Sequence, residues 1–129
     1  MALIVLDASV VIGLLERRDA HHLAATEALR EYQIDSLSLP ASAYAEVLTR
    51  PARAGQLEAV REDIAVLGAG VQPIDERVAE DAARLRARFR SLRLPDALVI
   101  AAGDSTSADA ILTTDRSWAA VSRRVRVIG

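Results

Sequence analysis

The sequence of 129 residues contains no cysteine and no lysine, and each absence excludes particular kinds of chemistry. Without cysteine there are no disulfides, no thiolate metal sites and no cysteine nucleophiles. All 16 basic residues are arginines. P-loop enzymes and Schiff-base enzymes are therefore excluded, because both need a lysine side chain.

Aromatic residues and long apolar runs are also scarce. Aromatics make up 3% of the chain, so the core must be built from Ala, Val, Leu and Ile. No apolar run approaches the ~20 residues that span a bilayer. The N-terminus lacks a basic segment followed by a long apolar region, so we expect no secretory signal. The absence of cysteine favours the cytoplasmic location that we expect. The net charge of −2 gives no global basic field, although it leaves room for a local basic patch.

What is present is the composition of a globular protein, with 51% hydrophobic and 26% charged residues. The length predicts a single domain spanning residues 1–129. Short aliphatic runs predict buried strands at Leu3–Leu6, Ser36–Leu39, Ala110–Thr113 and Val125–Ile128, with a weaker strand at Val71–Ile74.

Segments with helical periodicity separate these strands. Helices are predicted at Ser9–Glu16 and Ala20–Gln33, in two segments of 41–68 broken near Pro51 and Gly55, from about Asp75, and behind Pro95. Alternating strands and helices predict an α/β fold, a three-layer α/β/α domain with a mainly parallel central sheet. The helices that exceed a simple alternation of one strand and one helix lie in the N-terminal half of the chain.

Four acidic residues occur in apolar surroundings near the ends of predicted elements. Asp7 ends the first strand, and Asp115 follows the strand that contains Thr113. Asp96 lies at the start of an apolar helix, and Glu46 lies inside another. Because ligands of open parallel sheets bind outside the carboxyl ends of the strands, we expect these acids to converge on that edge.

Each acid also has a purely structural interpretation. Asp7 and Asp115 can cap helices, Asp96 suits a helix N-terminus, and Glu46 can pair with Arg50 one turn later. None of these explains why all four have apolar neighbours. Clustered carboxylates raise each other's pKa unless a cation joins them, and oxygen ligands without His or Cys favour Mg²⁺ or Mn²⁺. Such sites are typical of phosphoryl transfer.

The motifs "VLDAS", "AEV", "LPDALVIAA" and "ILTTD" resemble, in order and spacing, the signature of PIN-domain ribonucleases. More narrowly, the short chain is similar to the VapC-type toxins of prokaryotic toxin–antitoxin pairs, from the first strand to the terminal "VRVI". The resemblance implies catalytic and metal-binding roles for Asp7, Glu46, Asp96 and Asp115, supported by the hydroxyls of Ser9 and Thr113. Asp115 would bind the ion directly, act through water or hold a second ion.

The resemblance also implies the reaction and the partners. We expect Mg²⁺- or Mn²⁺-dependent endonucleolytic cleavage of single-stranded or loop RNA by a metal-activated water, leaving 5′-phosphate and 3′-hydroxyl ends. A VapB-type antitoxin would neutralise the enzyme, and a homodimer is expected. The alternative is a catalytically inactive PIN-fold module that binds RNA or protein. A metal-independent ribonuclease would need His, and only the adjacent His21 and His22 are present, far from the acids in sequence.

Arginines and apolar side chains supply the candidate binding surfaces. Within "RLRARFRSLR", Arg93 lies beside Asp96, and Arg116 lies beside Asp115, so these two arginines are the candidate contacts to RNA phosphates. Structural alternatives for the run are interactions with a helix C-terminus and with acids such as Glu80. An antitoxin helix would need exposed apolar positions, for which the candidates are Val10, Leu14, Leu15 and Val47–Leu48.

Overall fold

A computed structural model describes residues 2–32 and 35–129, and these residues form five strands and six α-helices. The strands are β1 (Leu3–Leu6), β2 (Ser36–Pro40), β3 (Gly70–Gln72), β4 (Ala110–Thr113) and β5 (Val125–Val127). The helices are α1 (Ala8–Leu15), α2 (His22–Glu31), α3 (Ala41–Arg53), α4 (Leu57–Leu67), α5 (Glu76–Arg88) and α6 (Leu94–Ser105). A short 3-10 helix, Arg116–Ala120, connects β4 to β5.

All strand pairs in the sheet are parallel, in the order β3-β2-β1-β4-β5. The fold is the predicted three-layer α/β/α arrangement, and pairs of helices connect β1 to β2, β2 to β3 and β3 to β4. The chain leaves β1 towards one side of the sheet and later returns to the other side of β1 as β4. This change of direction puts the carboxyl ends of β1 and β4 next to each other.

The centre of the sheet is buried on both faces, because helices cover both sides of a parallel sheet. Ile4, Val5 and Leu6 of β1 are buried, as is every residue of β4. Helix α6 packs closely on β4, where Gly103 leaves room for the side chain of Ile111. These continuous aliphatic runs are the reason that the sequence predicted β1 and β4 with their observed bounds.

Helix boundaries follow local signals, although α1 lies at Ala8–Leu15 rather than at Ser9–Glu16 and α2 begins at His22 rather than at Ala20. Asp75 caps α5 by accepting a hydrogen bond from the backbone N–H of Val78 at 2.9 Å, and Pro95 lies in the first turn of α6. Pro51, predicted to break the chain between α3 and α4, instead lies within the last turn of α3. The predicted end of the second helix at Gln33 lies outside the described residues. In the part of the chain that the structure describes, no helix is long and apolar enough to cross a membrane.

Candidate active site

The carboxyl ends of β1 and β4 form the edge of the sheet where the strand order changes direction. Leu6 of β1 is paired with Leu112 of β4. Asp7 is the first residue after β1, and Thr113 is the last residue of β4. Open parallel sheets bind ligands in the crevice outside such a point, so both side chains lie at the position where a ligand is expected.

Asp7 is held in place by one hydrogen bond that its backbone N–H donates and by two that its carboxylate accepts. Its backbone N–H donates to the Leu112 carbonyl at 2.9 Å, and only 9% of the residue is exposed. Its Oδ2 accepts hydrogen bonds from Ser9 Oγ at 2.7 Å and from Thr113 Oγ1 at 2.8 Å. The two predicted supporting hydroxyls are thus both bonded to Asp7, and their part in catalysis stays a prediction.

The surroundings of Asp7 disfavour its ionised form. Burial raises the pKa of Asp7 above its ordinary value, the hydrogen bonds from Ser9 and Thr113 oppose this increase, and the negative charge of Asp96 adds to it. Among the groups of residues 2–32 and 35–129 that shift the pKa of Asp7, none is a cation. A positive ion placed at this edge would therefore favour the carboxylate over the carboxylic acid.

Glu46 and Asp96 belong to the same electrostatic cluster as Asp7. Glu46 is exposed in α3, yet the protein around it removes part of its water, and this partial burial raises its pKa together with the charges of Asp7 and Asp96. Asp96 lies in the first turn of α6. A short turn connects the other end of α6 to the start of β4, so this first turn lies near the carboxyl edge of the sheet. The structure thus brings three of the four predicted acids within electrostatic range of one another.

Arg93 is the basic residue that accompanies these acids. Its Nε lies 3.4 Å from Asp96 Oδ2, with the Arg93 side chain 76% exposed and the Asp96 side chain 17% exposed. The charge of Arg93 also lowers the pKa of Glu46. Sequence reasoning missed this ion pair, although its three-residue spacing was visible. One arginine among three carboxylates leaves the cluster with an excess of negative charge.

Asp115 reaches the same edge through hydrogen bonds rather than through direct charge interaction. Its backbone N–H donates to Thr113 Oγ1 at 3.1 Å, so Thr113 bridges Asp115 and Asp7. Its Oδ1 accepts from the backbone N–H of Ser117 at 2.9 Å and from Ser117 Oγ at 2.6 Å, capping the 3-10 helix. Asp115 is not among the charges that raise the pKa of Asp7 or Glu46. Sequence reasoning missed Ser117, for which the capping pattern "DRS" was a signal.

The structural interpretations of the four acids have different outcomes. Asp7 does occupy the N-cap position of α1, but its side chain makes no capping hydrogen bond to that helix. Glu46 and Arg50 form no ion pair within the described residues, so that interpretation is wrong. Asp115 does act as a cap, and Asp96 does lie in the first turn of a helix. Capping therefore accounts in part for Asp115, and the helix dipole accounts in part for Asp96. Neither explains why Asp7, Glu46 and Asp96 converge.

The donor set of this edge fits a hard divalent cation in chemistry and charge. Within residues 2–32 and 35–129, no group of three acidic or histidine side chains is arranged to hold an ion by itself. Mg²⁺ does not need such a group, because it usually keeps several waters and takes only one or two carboxylates directly. All-oxygen donors favour Mg²⁺ or Mn²⁺. Carboxylates that raise each other's pKa are stabilised by such a charge.

The arginines that precede α6 have separate structural roles. Arg84 of this run pairs with Asp81 at 2.8 Å, and no ion pair with Glu80 is present in the described residues, so the structural alternative that named Glu80 is wrong. Arg86 Nε donates to the Leu92 carbonyl at 3.2 Å and so ties α5 to the loop that carries Arg93. Arg116 is exposed at the start of the 3-10 helix, beside Asp115.

An apolar cavity of about 350 Å³ lies beside Glu46, between α1, α3 and α4. Of the predicted groove residues, Leu15 and Val47 line it, together with Ile12 and Val60. Val10 was predicted wrongly, because it is fully buried in the core and presents no surface to a partner. Ile12, two residues after Val10 in α1, lines the cavity instead.

A parallel α/β sheet with carboxylates at its switch point can be compared with the models of known protein families. The model of the PIN domain family matches residues 4–124, and the chain belongs to this family. Among curated proteins compared by sequence, none matches significantly. The family match therefore carries the assignment.

Solved structures of toxin–antitoxin proteins share this fold. A toxin–antitoxin complex from Klebsiella pneumoniae matches with a TM-score of 0.77 at 20% identity, covering 96% of each chain. VapBC2 from Rickettsia felis, solved with a fragment of promoter DNA, gives 0.79 at 10% identity over 98% of this chain and 99% of that one. The toxin VapC20 of Mycobacterium tuberculosis, which cleaves the sarcin–ricin loop, gives 0.73 at 19% identity over 91% and 93%. At 20% identity or less, these likenesses show that the fold is shared.

Proposed function

We propose that this protein is a metal-dependent endoribonuclease toxin that cleaves single-stranded or loop RNA in the cytoplasm and is neutralised by a cognate VapB-type antitoxin. The observation that carries the proposal is the group formed by Asp7, Glu46 and Asp96 at the switch point of the sheet. Asp96 raises the pKa of Asp7, and Asp7 and Asp96 both raise the pKa of Glu46. Keeping such carboxylates close together is unfavourable unless a bound cation neutralises their negative charge.

Asp7, Asp96 and Glu46 would hold a Mg²⁺ or Mn²⁺ ion, and Asp115 would bind directly, through water or to a second ion. When bound, the ion lowers the pKa of a water molecule and stabilises the charge that develops on the leaving oxygen. This chemistry does not use the 2′-hydroxyl of RNA as the nucleophile. The products would therefore carry 5′-phosphate and 3′-hydroxyl ends.

The side chains around the acids would position them and the substrate. Ser9 and Thr113 donate to the same oxygen of Asp7, so they would fix the orientation of its carboxylate, and they favour the ionised form. Arg93 and Arg116 would bind phosphates of the RNA. To bind a phosphate, Arg93 would have to give up its ion pair with Asp96. The Arg93 side chain is largely exposed, and exposed ion pairs of this kind are weak, so this loss would cost little.

Histidine-based catalysis receives no support from the positions of the two histidines. His22 begins α2, and its Nδ1 lies 2.9 Å from the Gly13 carbonyl. His21 directly precedes α2, and neither residue is among the groups that affect the pKa of Asp7 or Glu46. General acid–base catalysis by these residues would need them within reach of the acids' edge.

The antitoxin would place apolar side chains in the cavity formed by Ile12, Leu15, Val47 and Val60. Glu46 lines the same cavity, so a segment bound there would approach the acids and block the RNA. The structural neighbours from Klebsiella pneumoniae and Rickettsia felis are complexes with antitoxins, which supports a partner of this kind. A homodimer of the toxin is part of the proposal.

The test is cleavage of a pool of end-labelled RNAs by protein that has been freed of antitoxin. We expect cuts in Mg²⁺ or Mn²⁺, none in EDTA, and at least a hundredfold loss in the Asp7→Asn and Asp96→Asn variants, a typical cost of removing a charge-stabilising group. The exposed Asp63 of α4 provides the matched control, and Asp63→Asn should cleave like the wild type. Activity that survives EDTA or either active-site substitution would contradict the metal mechanism.

The competing function is an inactive PIN-fold module that binds RNA or protein. It is favoured by the observation that no three acidic or histidine side chains of the described residues form a complete ion site. Such a module would show no cleavage with any RNA or metal and would tolerate Asp7→Asn in binding assays. Sequence-specific cleavage lost in both variants excludes it.

A further inference from the structure

A second, larger cavity of about 610 Å³ lies on the side of the molecule formed by the end of α5, the 3-10 helix and the segment before β5. We call it the arginine groove, after Arg88, Arg123 and Arg124 in its lining. Phe89, Asp104 and Asp109 complete the part of the lining that carries charged or aromatic groups. None of these residues belongs to the acidic cluster or to the apolar cavity.

The arginine groove lies at the edge of the sheet opposite the acids, because Arg124 of its lining directly precedes β5. Phe89 begins the loop that leads to Arg93 and Asp96, and Ala119 lies in the 3-10 helix that Asp115 caps. Asp109 of the lining likewise directly precedes β4. An RNA that reaches from the acids to the groove must therefore cover about the length of β4, whose 4 residues span roughly 13 Å at ~3.3 Å each. Four stacked nucleotides cover about the same length at ~3.4 Å each.

The charges of the groove favour an anionic occupant. Asp104 is already engaged, because it accepts from Ser122 Oγ at 2.8 Å and lies 3.5 Å from Arg124 Nε. The Oδ2 of Asp109 accepts a hydrogen bond from the Leu3 backbone N–H at 2.8 Å. Arg88 and Arg123 are exposed, and within residues 2–32 and 35–129 neither has an ion-pair partner.

The groove also offers a surface for a nucleobase. The guanidinium carbon of Arg88 lies over the Phe89 ring, 5.2 Å from the ring centre, which is a cation–π contact. The outer face of such a guanidinium plane can stack against an unpaired base. With few aromatics in the whole sequence, the position of one of them in an arginine-lined groove is informative.

We propose that the arginine groove binds the single-stranded RNA that flanks the cleavage site, with Arg88 and Arg123 on phosphates and a base stacked on Arg88. This inference rests on the proposed function, because the occupant is a continuation of the same substrate. A protein segment fits less well, since the apolar side chains between the charged residues are mostly small, Ala119 and Ala120 among them. The apolar cavity near Glu46 has the larger side chains that a helix needs.

The test compares binding of fluorescein-labelled oligouridylates of two lengths, about 4 and about 12 nucleotides, to the full chain in EDTA, where no cleavage interferes. The long RNA should bind the wild type more tightly than the short one. In the Arg88→Gln/Arg123→Gln variant, the affinity for the long RNA should fall about tenfold or more. The slope of log affinity against log salt should decrease by about 1.4, at ~0.7 for each phosphate contact on a single strand.

The matched control is Arg30→Gln/Arg61→Gln, which removes the same charge from α2 and α4, away from the groove. Equal loss in both double variants would overturn the proposal. So would equal competition by an oligoglutamate of similar length, because the groove would then be a general anion surface. As a second variant, Phe89→Leu removes the ring but keeps an apolar side chain, and it should weaken the long RNA selectively.

The outcome is separable from that of the proposed function. Cleavage of short RNAs with unchanged binding in the groove variants would leave the nuclease intact and overturn the groove. Selective binding of the long RNA through Arg88 and Arg123 without any cleavage would establish the groove and contradict the nuclease.

Discussion

Asp7 is a residue at which burial and charge conflict, because its carboxylate is removed from water without a cationic partner in the described structure. It is 9% exposed and shares the sheet edge with two other carboxylates. Ser9 and Thr113 compensate with two short hydrogen bonds to one oxygen. Because those bonds only partly offset burial and the charge of Asp96, the pKa of Asp7 stays raised.

The raised pKa values of Asp7 and Glu46 predict how stability depends on pH in the absence of divalent ions. The folded protein holds these two protons more tightly than the unfolded chain does. Their stabilising effect is therefore complete below the ordinary carboxyl pKa of ~4 and is lost as the pH rises through the raised values. The Asp7→Asn variant cannot ionise at this position, so it does not suffer the loss of stability that ionisation of Asp7 causes in the wild type. We expect it to melt at a higher temperature than the wild type at pH 7 in EDTA.

Thermal melts of both proteins from pH 3.5 to pH 7.5 measure this effect, and the difference should shrink towards low pH. Asp63→Asn, on the exposed face of α4, should show no such pH-dependent difference. A lower melting temperature for Asp7→Asn at pH 7 would mean that hydrogen bonding outweighs burial and repulsion at this position.

Thr113 predicts a second effect at this scale, because one hydroxyl serves two acids. It donates to Asp7 Oδ2 and accepts from the Asp115 backbone N–H. Thr113→Val keeps the shape but leaves both groups without that partner, at a cost of about 1–3 kcal/mol in unfolding free energy. Cleavage should fall about tenfold, a loss of ~1.4 kcal/mol in transition-state stabilisation.

Urea unfolding and RNA cleavage are the two measurements for Thr113→Val. The matched control is Thr114→Val at the next position, since no hydrogen bond from the Thr114 hydroxyl is present in the described structure. Similar losses in both variants would show that the hydroxyl bridge of Thr113 is unimportant.

At the scale of secondary-structure elements, the packing of α6 on β4 places Asp96. Gly103 faces Ile111 across this contact, and an added Cβ would collide with Ile111 Cγ1 and Cδ1. Gly103→Ala is therefore expected to destabilise the fold by about 1–3 kcal/mol, because an overpacked core must shift its backbone. Urea unfolding measures the loss.

Two further variants identify the cause of that loss. Gly70→Ala adds the same methyl group where no atom lies within 4 Å, and its stability should stay within about 0.5 kcal/mol of the wild type. Gly103→Ala combined with Ile111→Ala should lose less than the sum of the two single variants. Strict additivity would contradict the steric explanation.

The elements also differ in how well the sequence predicted them. The central strands β1 and β4 were predicted with their observed bounds, because residues buried on both faces form continuous aliphatic runs. The edge strand β3 was predicted at Val71–Ile74 but lies at Gly70–Gln72, where it is exposed or only partly buried. An edge strand is defined by its neighbour's hydrogen bonds rather than by its own hydrophobicity.

At the scale of the whole molecule, the acidic edge predicts a response to divalent ions. A ligand that binds only the folded state stabilises it, by about 2.7 kcal/mol at a hundred times its dissociation constant. Mg²⁺ or Mn²⁺ should therefore raise the melting temperature of the wild type at pH 7. Asp7→Asn and Asp96→Asn should show little or no increase, whereas Asp63→Asn should respond like the wild type.

Differential scanning fluorimetry with titrated MgCl₂ or MnCl₂ measures this response, with KCl of equal ionic strength as the salt control. The increase should also be larger at pH 7 than at pH 5, because protons compete with the ion for Asp7 and Glu46. Equal stabilisation of the wild type and both active-site variants would contradict a metal site at this edge.

The sequence by itself determined the fold class, the central strands and the four acids with their order along the chain. Those features depend on local runs of residue type, which are visible without knowing what packs against them. The lack of lysine and cysteine excluded several chemistries in the same way. Even so, the pattern of the acids could not tell a cap from a ligand, as the capping bond of Asp115 shows.

Only the tertiary structure decided which of these groups meet. Thr113 and Asp7 lie 106 positions apart in the chain, and their hydrogen bond exists because β4 returns beside β1. The same packing buries Val10, which was predicted to be an exposed apolar contact for the antitoxin, and links Glu46 electrostatically to Asp96. Contacts of this kind depend on the order of strands in the sheet, and that order is a property of the folded chain as a whole.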